Sequence, residues 1–76
     1  MVTGESWKTR AKLLLKRELS GRGISYKELA ERLEKLGIPE SEQNIANKLS
    51  RGGFSAVFLI QCLDAIECKT LRLGMD

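Results

Sequence analysis

Apolar residues recur at spacings of three and four along this chain and then close into an almost unbroken run, a rhythm that lays out a small helical protein. From about Ser6 to Leu19, the side chains of Trp7, Ala11, Leu14, Leu15 and Leu19 form one stripe, the pattern of a helix with a single buried face. Gly21 and Gly23 follow, and glycine just past a periodic run supplies the left-handed residue that ends a helix. The second helix, 26–36, is announced at both ends. Ser25 with Glu28 three residues on reads as a capping box, each side chain placed to satisfy a backbone N–H at the other position, and Ile24 and Leu29 flank it as a hydrophobic staple. Gly37 after Leu36, with Ile38 set to touch Leu33, reads as a Schellman ending.

Pro39 cannot continue a helix and biases Ile38 to extended backbone, so the chain turns there. Ser41 offers an N-cap to a third helix, about 42–51, that buries Ile45, Ala46 and Leu49 and stops at Gly52-Gly53. Ser55 can cap a fourth helix, Ala56 to about Cys68, apolar nearly all round and therefore expected to be central and buried. Thr70-Leu71-Arg72-Leu73 alternates with period two, which predicts a short strand ending at Gly74. A lone strand either packs locally or pairs with a second chain. The expectation is one all-α domain over 1–76, a bundle of four to five helices with a helix-turn-helix at its centre and a short C-terminal β-strand.

Length narrows the functions such a bundle can carry. At 76 residues the core is a single layer, since small domains hide the smallest share of their surface, and a deep water-excluding active site is not expected. The chain has no histidine and two cysteines, Cys62 and Cys68. Structural zinc needs four Cys or His ligands, so no metal is expected. Nor is there a histidine to activate a nucleophile, and Glu28, Glu31 and Glu34 form no visible acid–base pair; no enzyme and no cofactor are expected. Both cysteines lie in or just after the apolar fourth helix, where a reduced thiol acts as a small hydrophobe; the alternative is intermolecular pairing. The N-terminus lacks a signal peptide's apolar run and no stretch approaches a membrane span, so a cytoplasmic protein without membrane attachment is expected.

Charge points to an anionic partner without demanding one. The net charge is +3, and the excess lies in the first half, in Lys8, Arg10, Lys12, Lys16, Arg17 and Arg22. A solvated helix face is the competing explanation. Helix 42–51 is more specific. Counting 100° per residue from Ile45, its opposite side presents Gln43, Asn44, Asn47 and Arg51 with no acidic residue among them. Asn and Gln can bond adenine through N6 and N7, and Arg can bond guanine through O6 and N7. Gln43, Asn44 and Asn47 are therefore the candidate base readers. Lys48, Arg51 and Lys27, with Ser25 and Tyr26 at the start of the second helix, are the candidate phosphate contacts. Each has a structural alternative: Asn44 and Asn47 as braces of the turn, Arg51 on helix-end carbonyls, and Tyr26, like Trp7, in the core.

The stretch Ser25 to Leu33, followed by Gly37-Ile38, Ser41, Ile45, Leu49 and Arg51-Gly52, resembles the phage-repressor-like helix-turn-helix domains of the Cro/C1 (XRE-like) type. The match lies in Leu29-Ala30 near the middle of the first motif helix, glycine and an aliphatic in the turn, and Ile-x-x-x-aliphatic-x-Arg-Gly at the end of the recognition helix. This chain departs from the pattern in a second helix longer by nearly a turn and a longer link from Gly37 to Ile45. The resemblance implies a lambda-repressor-like fold in which Phe54 to Ile66 closes the core and the start of the recognition helix, here Glu42, Gln43 and Asn44, enters the major groove. A closer resemblance is to a family of small uncharacterised bacterial domains with the pattern Asn-x-x-Asn-Lys-aliphatic-Ser-Arg-Gly-x-Phe-Ser-Ala-x-Phe, here Asn44, Asn47 to Gly52 and Phe54 to Phe58. It implies a fold and no activity.

Two functions fit. One is a small bacterial transcriptional regulator that binds double-stranded DNA as a homodimer, through strand 70–73 or the first helix, because one helix-turn-helix grips few bases. The other is a protein-interaction module, antitoxin-like or an adaptor, on the same fold.

Overall fold

Serines open three of the four helices. A computed structural model describes residues 4–73, and in it the chain runs α1 (Gly4–Gly21), α2 (Tyr26–Lys35), α3 (Glu42–Arg51) and α4 (Ala56–Ala65). Ser25, Ser41 and Ser55 are the N-caps of α2, α3 and α4, and each hydroxyl accepts from the backbone N–H three residues on, satisfying a donor the helix cannot. Of the expected capping box only the serine half is seen in this form. The Glu28 carboxylate instead accepts from Arg32 Nε and Nη2 at 3.1 and 2.9 Å, because an ion pair one turn along the helix competes for the same oxygen.

The helix ends follow one device. At α1, Ile24 N–H donates to Leu19 O and Gly23 N–H to Ser20 O; at α2, Ile38 N–H donates to Leu33 O and Gly37 N–H to Glu34 O. Both are Schellman endings, with Gly23 and Gly37 at positive φ. α4 ends the same way three residues earlier than the sequence predicts: Cys68 N–H donates to Leu63 O, Glu67 N–H to Asp64 O, and Glu67 takes φ 59°. No glycine marks that stop, so the apolar periodicity runs past it. Glu67→Gly should therefore raise stability by about 1 kcal/mol, relieving left-handed strain; a urea midpoint unchanged or lowered would contradict this.

Each helix contributes to one core: Leu15 and Leu19 from α1, Leu29 and Leu33 from α2 with Ile24 just before it, Ile45 and Leu49 from α3, and Phe58, Cys62 and Ala65 from α4, with Ile66 just beyond. α2 packs on both α3 and α4, and α1 lies against α3. Arg32 fastens the α2–α4 contact by donating from Nη1 to Ala65 O at 3.3 Å, a cation at a helix C-terminus.

Three expectations are corrected. The segment Thr70–Leu73 forms no strand, and none occurs among the described residues. With no partner strand, two of its carbonyls are taken by α1: Arg10 donates to Leu73 O at 3.3 Å and Arg17 to Arg72 O. α4 is not enclosed on all sides, since Val57 and Ile60 are 64% and 65% exposed. Four helices cannot surround one of their own, and these two point away from Phe58 and Cys62. Trp7 is not core but 53% exposed, with the Arg10 guanidinium 5.3 Å from its ring centre. α1 has 18 residues against 10 in each other helix, so its first turns overhang the core. Among the described residues no helix is long and apolar enough to cross a membrane.

Candidate nucleic-acid interface

α3 is held by its inner face and shows its outer one. Ile45 and Leu49 are fully buried, whereas Gln43, Asn44, Asn47 and Arg51 are exposed. Gln43, Asn47 and Arg51 follow at four-residue steps, each turning the helix only about 40°, so they form a row about 12 Å long. Within it Gln43 Nε2 donates to Asn47 Oδ1 at 3.2 Å, an exposed bond between two amides that either can exchange for a partner. The Asn44 side chain does not cap α3; its backbone N–H is what Ser41 Oγ receives, at 3.0 Å. No described residue roofs the row.

The expected phosphate contacts separate. Ser25 is occupied as the α2 cap, and Tyr26 is half-buried against the core. Lys27 borders a cleft at the α2–α3 turn whose walls include Glu31, Glu34, Glu40 and Glu42, an unfavourable neighbourhood for phosphate. Glu42, at the start of α3, belongs to that acidic end. Arg51 lies at the other end, in a cleft with Lys8, Lys48, Gly53 and Phe54.

Lys48 is built into the fold. Its ammonium pairs with Glu40 and sits 4.5 Å from the centre of the Phe58 ring, a cation–π contact that partial burial strengthens. The Glu40 side chain is only 13% exposed, and its Oε1 is buried without a hydrogen-bond partner among the described residues. Cys62 lies beneath: burial pushes its thiol up to about 12, the Glu40 carboxylate adds to that, and Lys48 opposes it. The pair spans the turn at a separation of eight residues, which no helical or strand periodicity marks. Removing one partner should leave a buried charge. Lys48→Met is expected to cost about 1–3 kcal/mol, and adding Glu40→Gln to restore much of it; a neutral Lys48→Met in urea unfolding would show that the pair contributes nothing.

Lys8, which the sequence marks only as one of the basic residues of the first half, is brought by glycine to the cleft that Arg51 lines. A β-carbon at Gly52 would fall 2.7 Å from Lys8 O, and one at Gly53 would fall 3.6 Å from Lys8 Cε. The Gly-Gly pair was legible as a helix stop; that it also admits α1 was not.

Residues 7–71 match the family model described as a domain of unknown function, DUF6471. The chain belongs to that family. The DUF6471 region takes in α2, α3 and α4 whole and α1 from Trp7 onward, so the exposed row and the Lys8 corner both lie inside it. It agrees with the resemblance of the Asn44–Phe58 pattern to a small family without assigned activity. No curated protein and no solved structure matches the chain.

Proposed function

We propose that this DUF6471 chain is a DNA-binding domain of the helix-turn-helix kind, resembling the phage-repressor-like domains, and that it serves as a small transcriptional regulator reading the major groove with α3. The observation that carries this reading is the row of Gln43, Asn47 and Arg51, with Asn44 beside it, exposed on a helix whose opposite face is locked into the core. The amides supply the donor and acceptor pairs that match base edges in that groove, and the Arg51 guanidinium supplies a phosphate contact. A major groove about 12 Å wide admits a helix, and α3 is fixed on one side by α1 and α2. Selective binding calls for two half-sites, hence a homodimer; with no strand at 70–73, α1 is the remaining candidate surface, and Leu13 is exposed on it.

The test is a duplex titration at low and moderate salt. Affinity is expected to fall steeply with salt; Asn47→Asp is expected to weaken it by about tenfold or more, from about 1–3 kcal/mol per base contact, and Arg51→Glu to weaken it comparably through loss of a phosphate contact, with helical circular dichroism unchanged. Variants that bind as the parent does would end the reading.

A second reading, a protein-interaction module, is favoured by one observation, the exposed apolar pair Val57 and Ile60 on α4. It predicts a stable complex with a protein partner that survives added duplex, and Val57→Asp would abolish that complex while Arg51→Glu would not.

A further inference from the structure

The corner where α1 meets the end of α3 differs chemically from the two clefts that flank α2. Its cleft, about 280 Å³, is lined by Lys8, Lys48, Arg51, Gly53 and Phe54, three cations and no carboxylate. The cleft at the α2–α3 turn has Lys27 against Glu31, Glu34, Glu40 and Glu42, and the groove between α2 and the end of α4 mixes Lys27, Arg32 and Lys35 with Glu28, Glu31, Asp64 and Glu67. α3 thus runs from an acidic end to a basic one.

The basic corner is assembled by backbone contact. Gly52 lies so close to Lys8 O that a β-carbon would not fit, and the Lys8 stem passes over Gly53 with Cδ 3.8 Å and Cε 3.6 Å from where a β-carbon would stand. That contact fixes the root of the Lys8 side chain, which lines the cleft together with Arg51. Lys48 lines the same cleft while paired with Glu40, so the surplus charge comes from Lys8 and Arg51. The volume lies just under the range of small-molecule sites, 300–1,000 Å³, and leaves ample room for a phosphate group.

We propose that this corner is a phosphate-binding site, formed by Lys8 and Arg51 over Gly53 and Phe54, and that it seats one phosphodiester of a nucleic-acid backbone at the basic end of the α3 row. The proposal deepens the DNA-binding reading and takes its biological ligand from it. Arg51 belongs to both features, so a backbone held at the corner sets Asn47 and Gln43, one and two turns back along α3, against the adjoining base edges. Phosphate contacts of this kind fix register and carry no sequence information.

The experiment is a pair of titrations of the full chain followed by backbone amide shifts, one with inorganic pyrophosphate and one with duplex DNA, on the parent, Lys8→Glu and the charge-matched control Lys16→Glu. Pyrophosphate is expected to shift Gly53 and Phe54 in the parent and in Lys16→Glu, and not in Lys8→Glu. Duplex affinity at about 50 mM salt is expected to drop at least tenfold in Lys8→Glu, with a shallower dependence on salt by about one unit of log–log slope, and to change by no more than about threefold in Lys16→Glu. Gly53 and Phe54 that ignore pyrophosphate, or equal losses in the two variants, would overturn the proposal. Pyrophosphate shifts without duplex binding would uphold the corner and remove the DNA reading; duplex binding with an unresponsive corner would do the reverse.

Discussion

Gly52→Ala should lower the stability of this domain by about 2–5 kcal/mol, while Gly37→Ala should lower it by only about 1–2. Both glycines hold left-handed backbone, φ 76° and 83°, and a β-carbon in that region costs about 1–2 kcal/mol. At Gly37 nothing stands within 4 Å of the added atom, whereas at Gly52 the carbonyl oxygen of Lys8 stands at 2.7 Å. Backbone cannot swing aside as a flexible side chain does, so α1 has to shift, at an overpacking cost of about 1–3 kcal/mol. A chain of 76 residues has on the order of 4–11 kcal/mol in hand, and the Gly52 variant should lose a large part of it. Urea unfolding of both variants checks this; equal losses would mean that α1 does not bear on α3 at Gly52.

The second large effect is alkaline. Cys62 is fully buried and its thiol is raised from 9.0 to about 12 by burial first and the Glu40 carboxylate next. Below pH 9 the thiol is neutral in both folded and unfolded chains and contributes no pH dependence. Between pH 9 and 12 the unfolded chain releases the proton and the folded one keeps it, so stability falls as pH rises, at about 1.4 kcal/mol per unit for one proton. From pH 9, where the unfolded thiol is already half ionised, to pH 11 that is roughly 2 kcal/mol. Cys62→Ala loses some packing at every pH, but its stability should decline less steeply above pH 9. All other groups are common to both chains and cancel in the difference. Parallel curves from pH 8 to 11 would contradict the burial of this thiol.

Local chemistry in the sequence accounts for much of the fold. Ser25, Ser41 and Ser55 cap the helices they were expected to cap, and Gly23 and Gly37 take the left-handed positions expected near the ends of α1 and α2, because caps are decided by residues within one turn. The outer face of α3 was legible for the same reason: with Ile45 and Leu49 buried, helical geometry leaves Gln43, Asn44, Asn47 and Arg51 outward. What was hidden depends on contacts far apart in sequence. Glu67 ends α4 without a glycine, since the tertiary contact of Arg32 with Ala65 O helps to close that terminus. Thr70–Leu73 alternates like a strand, yet Arg10 and Arg17 bind its carbonyls. Lys48 reads as a surface cation until Glu40 folds back over it, and Lys8 reads as one charge among many until Gly52 brings it to Arg51.

The claim at the centre of this account is that the exposed face of α3 meets nucleic acid. A duplex titration of the parent chain, followed by backbone amide shifts, addresses it most directly. The predicted result is a set of saturable shifts at residues 43, 44, 47 and 51, weakening as salt rises; shifts confined to α4 around Val57 and Ile60, or none at a duplex concentration that saturates known binders of this size, would contradict it.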